Sequence, residues 1–339
     1  MRIQLSVLLL ALVTAAGLAT GLGVYSTFGR DQAADDHSRH FGAWSVPRGR
    51  RVVVDVPRDV STLRRALEAI AAWEIPPTAS VVIAMGPGTH AMAGRIEIDH
   101  PDGARLSIIG GGGGANPTEL RWAKAPAGLY VGRGCVLGGV EGIGLELADK
   151  KARELESGVL ADEGGHVGCG ASVSVRGFYY GFTARRNGTI RCDDSRVEGA
   201  GDAGYFAYMG GHIDAVRSRS TGASDEGNSL GSGYFAEYGG SIDAAEAEAS
   251  GSFLAGFHAL SSGSIRAEGS RSFKNAGHGY QVRSGGAIVA HRGLARGNGG
   301  FGMKNWGGNG HFEGDGLSIH DNRLGSVSTE SSGVKIGPP

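Results

Sequence analysis

The chain has 339 residues, of which 62 are glycine and only 10 are proline, a composition of many tight turns between short strands; the absence of a three-residue glycine period excludes collagen. A formal net charge of −1 provides no bulk field for nucleic acid, so no nucleic-acid partner is expected. The three cysteines, Cys135, Cys169 and Cys192, are too widely spaced for a disulfide framework or a zinc motif.

Residues 5–28 carry no charge, with Arg2 before them and Arg30 and Asp31 after. A basic start and an apolar run form the pattern of a secretory signal peptide, and Gly17-Leu18-Ala19 offers small residues for cleavage. The run is also long enough to span a bilayer as a helix. Residues 1–29 are therefore expected to be a signal peptide or membrane anchor. The rest of the chain is expected to be exported, secreted, periplasmic or anchored facing outward. The membrane is met only through residues 5–28, if these are retained. Residues 30–50, with Asp35, Asp36, His37, Arg39, His40 and Arg48, read as a polar linker.

A strand is expected at Arg51–Val56, then a helix over 59–73 with Leu63, Leu67 and Ile70 on one face. Strand-like runs follow at 80–85, 95–99 and 106–109, ending in the glycines 110–114. No Lys-Ser or Lys-Thr pair follows those glycines, so they do not read as a phosphate loop.

From residue 158 onward the chain repeats. Glycines opening short aromatic segments stand at 158, 181, 204, 233, 256, 279 and 302, in steps of 23, 23, 29, 23, 23 and 23. The long step is one period plus an insertion at 225–230. One residue after each glycine come Val159, Phe182, Tyr205, Tyr234, Phe257, Tyr280 and Met303, and three after it mostly alanine. Seven after it glycine returns, as in Gly188 and Gly211; nine after it stand Ile190, Ile213, Ile242, Ile265 and Ile288. Cys169 and Cys192 occupy an alanine position eleven residues on and read as small apolar filling. Alternation along a strand points positions one and three inward, and nine and eleven inward from the next strand. A third strand contributes Val197, Ser220, Ala249, Ser272 and Ala295. No single coil buries its own apolar side, so coils must stack, with Asn275, Asn298 and Asn322 forming a turn ladder.

This register, together with a capping helix followed by VVIAMGPGTHAM and RLSIIGGG, resembles the right-handed parallel β-helix proteins of the pectate-lyase-like superfamily. The resemblance covers residues 51–325 and leaves a tail at 326–339. It implies an all-β solenoid of about 23 residues per coil, with an N-terminal helix covering an otherwise open edge. It also implies polysaccharide lyases, hydrolases, esterases or epimerases as relatives, among which fold does not choose. Polygalacturonase-like enzymes combine an aspartate pair with Gly-His-Gly; here Asp193–Asp194 and Gly277-His278-Gly279 fall several coils apart, too far for one glycosidic bond. No pectinesterase-like aspartate and glutamine set is present, and no lyase-like Trp-x-Asp-His segment.

Two outward constellations remain. Ten residues after the glycine, Arg191, Asp214, Asp243 and Arg266 form one column on consecutive coils. Asp214 and Asp243 are the candidate catalytic acids, about 5 Å apart as paired-carboxylate chemistry requires, and Arg191 and Arg266 are candidate ligands for an acidic sugar. The alternative is a surface ladder of ion pairs. Two and four residues after the glycine come Phe206, Tyr208, Phe235, His258 and Trp306, with Tyr238 nearby, as candidate rings for stacking on sugars. The alternative is cover by the 225–230 insertion or by a second subunit. No cofactor and no metal are expected. The reading is an exported β-helix presenting a surface to a polysaccharide or cell-envelope glycan. Its rivals are a lyase or hydrolase acting on an acidic glycan, and a structural spike or adhesin. The oligomeric state stays open.

Overall fold

The computed structural model describes residues 44–111, 116–124, 126–149, 157–170, 172–224, 231–307, 309–328 and 333–338. The expected export segment, most of the linker, the glycines 112–114 and the 225–230 insertion lie outside the described residues.

The chain winds as a right-handed parallel β-helix. Among the described residues, each full coil visits three parallel sheets in turn. Sheet 1 has 12 strands, from Arg51–Val56 to Val334–Lys335. Sheet 2 has 10, from Gly88–Met92 to Ser318–His320, and sheet 3 has 10, from Ile96–Ile98 to Val327–Ser328.

The stacked columns follow the repeat. In sheet 3, Phe182, Tyr205, Tyr234, Phe257 and Tyr280 lie face to face inside, with centroid separations of 5.3, 4.7, 4.7 and 5.1 Å. Burying a phenol demands a partner for its hydroxyl. Ser218 Oγ donates to Ala215 O (2.6 Å), which leaves its lone pair to accept the Tyr234 hydroxyl (2.9 Å). Ser195 and Ser270 serve Tyr205 and Tyr280 in the same way. The isoleucine column forms the inner face of sheet 1. Cys169 and Cys192 are buried free thiols, and burial pushes the Cys169 thiol up to about 12.

The turn from sheet 3 to sheet 1 differs in detail from expectation. The positive φ falls one and two residues before the seventh-position glycine, as at Met209 (49°) and Gly210 (76°). Gly211 itself is required by close approach, since a Cβ there would stand 2.0 Å from Ala184 O of the preceding coil. In the turn from sheet 2 to sheet 3, Asn298 Nδ2 donates to Asn322 Oδ1 (2.8 Å), and Asn275 Nδ2 donates to Asn298 Oδ1 (2.9 Å), so the asparagine ladder is real.

At the N-terminal end, α1 (Leu63–Ile70) buries Leu63, Ala66 and Ile70 over the first coil. Thr62 Oγ1 caps it, accepting from Arg65 N at 3.2 Å. The helix is shorter than the expected 59–73 because Trp73–Glu74 pairs as a strand with Trp44–Ser45. Trp44 packs edge-on to Trp73 at 4.8 Å and Val46 is buried, so the end of the stretch read as linker packs onto the first coil. At the other end, Val327–Ser328 and Val334–Lys335 extend sheets 3 and 1 past residue 325, because each last coil still offers an unpaired edge. No helix of the described residues is long and apolar enough to cross a membrane.

Candidate functional site

The outer face of sheet 1 holds the charged column. Arg191, Asp214, Asp243 and Arg266 are successive register partners, as their spacing predicts. Their side chains partner differently from a simple pair. Asp243 accepts from Arg266 and from Ala245 N (3.2 Å). Arg191 turns away to Asp193 (3.1 Å). Asp214 accepts from His212 Nε2 at 2.9 Å, and His212 Nδ1 lies 2.7 Å from Ser241 Oγ. The two carboxylates are adjacent in register, and each is tied to its own cationic or polar partner. Asp194 is bound by Arg217, whose hydrogen bond and charge hold its carboxyl below the usual range. His278 lies in a sheet 3 strand, His278–Arg283, away from the Asp193–Asp194 turn that follows sheet 1, so the polygalacturonase-like pieces do not meet.

The outer face of sheet 3 holds the aromatic column. Tyr180, Phe206, Phe235 and His258 stack along the axis at 4.8, 5.1 and 4.8 Å. Each ring therefore spends its faces on its neighbours. Phe206 is only 9% exposed and His258 5%, so neither offers a flat platform to a sugar. The accessible rings lie beside the column. Tyr208 leans on Phe206 (5.5 Å) and meets Tyr238 edge-on (5.5 Å), and Tyr238 is 56% exposed. Trp306, 45% exposed, receives the Arg283 guanidinium at 4.7 Å and the Lys304 ammonium at 4.4 Å over its ring.

Continuing the column, Gln281 follows His258, and Lys304 follows Gln281. Both ring nitrogens of His258 and Oε1 of Gln281 are buried without a hydrogen-bond partner. Burial first, then the Arg283 and His278 charges, push His258 down to about 3, so its ring is neutral and offers one donor and one acceptor. His278 is likewise pushed down to about 4 by burial and by Lys304, and its Nδ1 accepts from Phe301 N (3.0 Å). Among the described residues no carboxylate pairs with Arg283 or Lys304. The opposite end of the same face is acidic: burial and Asp202 raise the Glu237 carboxyl, and burial and Asp202 raise the Tyr180 phenol. Sequence reading missed Gln281 and Arg283, although both fall at outward positions of the repeat.

The outer face of sheet 2 carries a ladder of ion pairs. Glu146 pairs with Arg121 and Arg176, and Glu248 with Arg219 and Arg271. Among the described residues, His291, Glu313 and Asp315 bring one potential metal-binding atom each within 4.8 Å of one another. His291 Nδ1 already accepts the Asp315 backbone N–H (3.0 Å), which fixes a turn and leaves a protonated Nε2 unsuited to a metal.

No protein-family model matches the chain, and no curated protein does. Among solved structures, the A-module of the Azotobacter vinelandii mannuronan C-5 epimerase AlgE4 is similar, with 15% identity and a TM-score of 0.52, covering 81% of this chain and 76% of that one. At that identity the similarity speaks for architecture alone: the chain has a right-handed parallel β-helix fold.

Proposed function

We propose that this is an exported β-helix protein that binds an anionic polysaccharide along the outer face of sheet 3. The observation that carries the reading is the cationic end of that face, where the Arg283 guanidinium and the Lys304 ammonium lie 4.7 and 4.4 Å over the exposed Trp306 ring. Arg283 and Lys304 add uncompensated positive charge at the same end, which favours a carboxylated or sulfated sugar. Tyr238 and Trp306 supply accessible rings at the margins. The similar solved structure is a mannuronan C-5 epimerase module, which supports a glycan as the partner. The uncharged run at 5–28 supports export.

The test is a glycan array followed by calorimetry with the purified chain. Anionic glycans are expected to bind more tightly than neutral ones, with affinity falling about threefold to tenfold in Trp306→Ala or Tyr238→Ala. Arg283→Gln is expected to abolish the preference for anionic over neutral glycans. Absence of any glycan binding by the folded protein overturns the reading.

A further inference from the structure

The outer face of sheet 1 carries a second constellation, independent of the sheet 3 face. His212 and Asp214 are two residues apart in one strand, with Ile213 pointing inward between them. Alternation therefore puts His212 and Asp214 on the same outer surface. Ser241 begins the equivalent strand one coil on and is the register partner of His212. The distances are 2.9 Å from Asp214 Oδ1 to His212 Nε2 and 2.7 Å from His212 Nδ1 to Ser241 Oγ.

Hydrogen-bond chemistry orients this chain of groups. An ionised carboxylate only accepts, so His212 Nε2 carries the proton and donates to Asp214. The neutral imidazole then has its lone pair on Nδ1, and Ser241 must donate its hydroxyl proton there. The result is the ordering of nucleophile, base and orienting carboxylate that activates a serine. The backbone is rigid on both sides, since His212 N donates to Gly188 O and Ser241 N to Gly211 O, each at 2.9 Å. His212, Asp214 and Ser241 are all partly exposed, so a substrate can reach the serine. Ser264, the register partner of Ser241 on the following coil, places a further hydroxyl beside it.

The geometry points to acyl-ester hydrolysis at Ser241, with small O-acyl esters as the substrate class. Ser241 Oγ attacks the ester carbonyl as its proton passes to His212 Nδ1. The carbon–oxygen bond to the alcohol breaks, and the alcohol leaves with that proton. Water then repeats the sequence on the acyl-serine and releases the carboxylic acid, restoring the serine. Asp214 stays ionised, holding the ring in place and balancing the transient imidazolium. Asp214 is thus a positioning residue.

Two measurements test this with the full chain and without any glycan, so their outcome is separate from the sheet 3 reading. A fluorophosphonate reagent is expected to label Ser241, identified by peptide mass, and p-nitrophenyl acetate is expected to be hydrolysed. Ser241→Ala should lose both. His212→Gln should slow labelling about 100-fold or more. Asp214→Asn should slow it while altering the pH–rate profile, a change that a purely structural carboxylate would not cause. Thr221→Ala, an exposed hydroxyl on sheet 2, should leave both unchanged. A folded wild-type protein that is not labelled at Ser241, or that hydrolyses the ester no faster than Ser241→Ala, overturns the assignment.

Discussion

Replacing Asn298 by alanine tests whether the asparagine ladder holds neighbouring coils together. Asn298 Oδ1 accepts from Asn275 N (3.1 Å) and Asn275 Nδ2 (2.9 Å), while its Nδ2 donates to Asn322 Oδ1 (2.8 Å) and Ser272 O (3.2 Å). Alanine removes all four bonds. Asn275 Nδ2 keeps Ser272 Oγ, and Asn322 Oδ1 keeps Asn298 N. The Asn275 N–H and the Ser272 carbonyl lose these contacts inside the coil. At about 1–3 kcal/mol per stripped group, the cost is about 2–6 kcal/mol. Coils touch only their neighbours, so the loss should appear first as faster amide exchange around 272–298 and then as a lower urea midpoint. Asn298→Asp sharpens the test. It keeps the acceptor but puts its second oxygen where Nδ2 faced Asn322 Oδ1 and Ser272 O, and protonation restores one donor. The folded-state carboxyl of that variant should titrate above its unfolded value, so stability is greatest at low pH and lost as pH rises through the folded value. Asn298→Ala within about 0.5 kcal/mol of wild type, or a pH-indifferent Asn298→Asp, would refute the reasoning.

Gly211→Ala should cost at least about 3 kcal/mol in urea unfolding, because its Cβ would sit 2.0 Å from backbone of the preceding coil; Gly297→Ala, strained only by φ +63° with nothing within 4 Å, should cost about 1–2 kcal/mol. Phe257→Ala removes a ring stacked on both sides and should cost about 3–5 kcal/mol, whereas the exposed Phe253→Ala should stay within about 0.5 kcal/mol, read by the same denaturation curves. Burial opposes the charge of Asp162, but hydrogen bonds and charges from Arg186 and Arg185 outweigh it and hold the carboxyl below its ordinary value. Its contribution is therefore present above the unfolded carboxylate range and lost as pH falls through the lowered folded value. Asp162→Asn should flatten that part of the acid limb in a stability-versus-pH series.

Much of this architecture is legible along the chain because a solenoid repeats one environment every 23 residues. Five isoleucines nine residues after their glycines can only be one inward column. The helix end at Ile70 and the strands at 327–328 and 334–335 were less legible, because pairing with a distant edge, not local pattern, sets them. The Ser241–His212–Asp214 chain carried a readable signal. His212 and Ser241 each stand eight residues after their glycines, 204 and 233, and so share a column. What the spacing did not reveal is which neighbour each side chain turns to.

The sequence by itself determined the coil, its period, its inward columns and the outward positions, because backbone alternation and the need to stack apolar faces act on every rung alike. Only the tertiary structure decided how those outward side chains are used. Rotamers and packing across coils send Arg191 to Asp193 and Asp214 to His212. The same packing turns the faces of Phe206 and His258 onto their neighbours, which leaves Tyr238 and Trp306 as the accessible rings of that face.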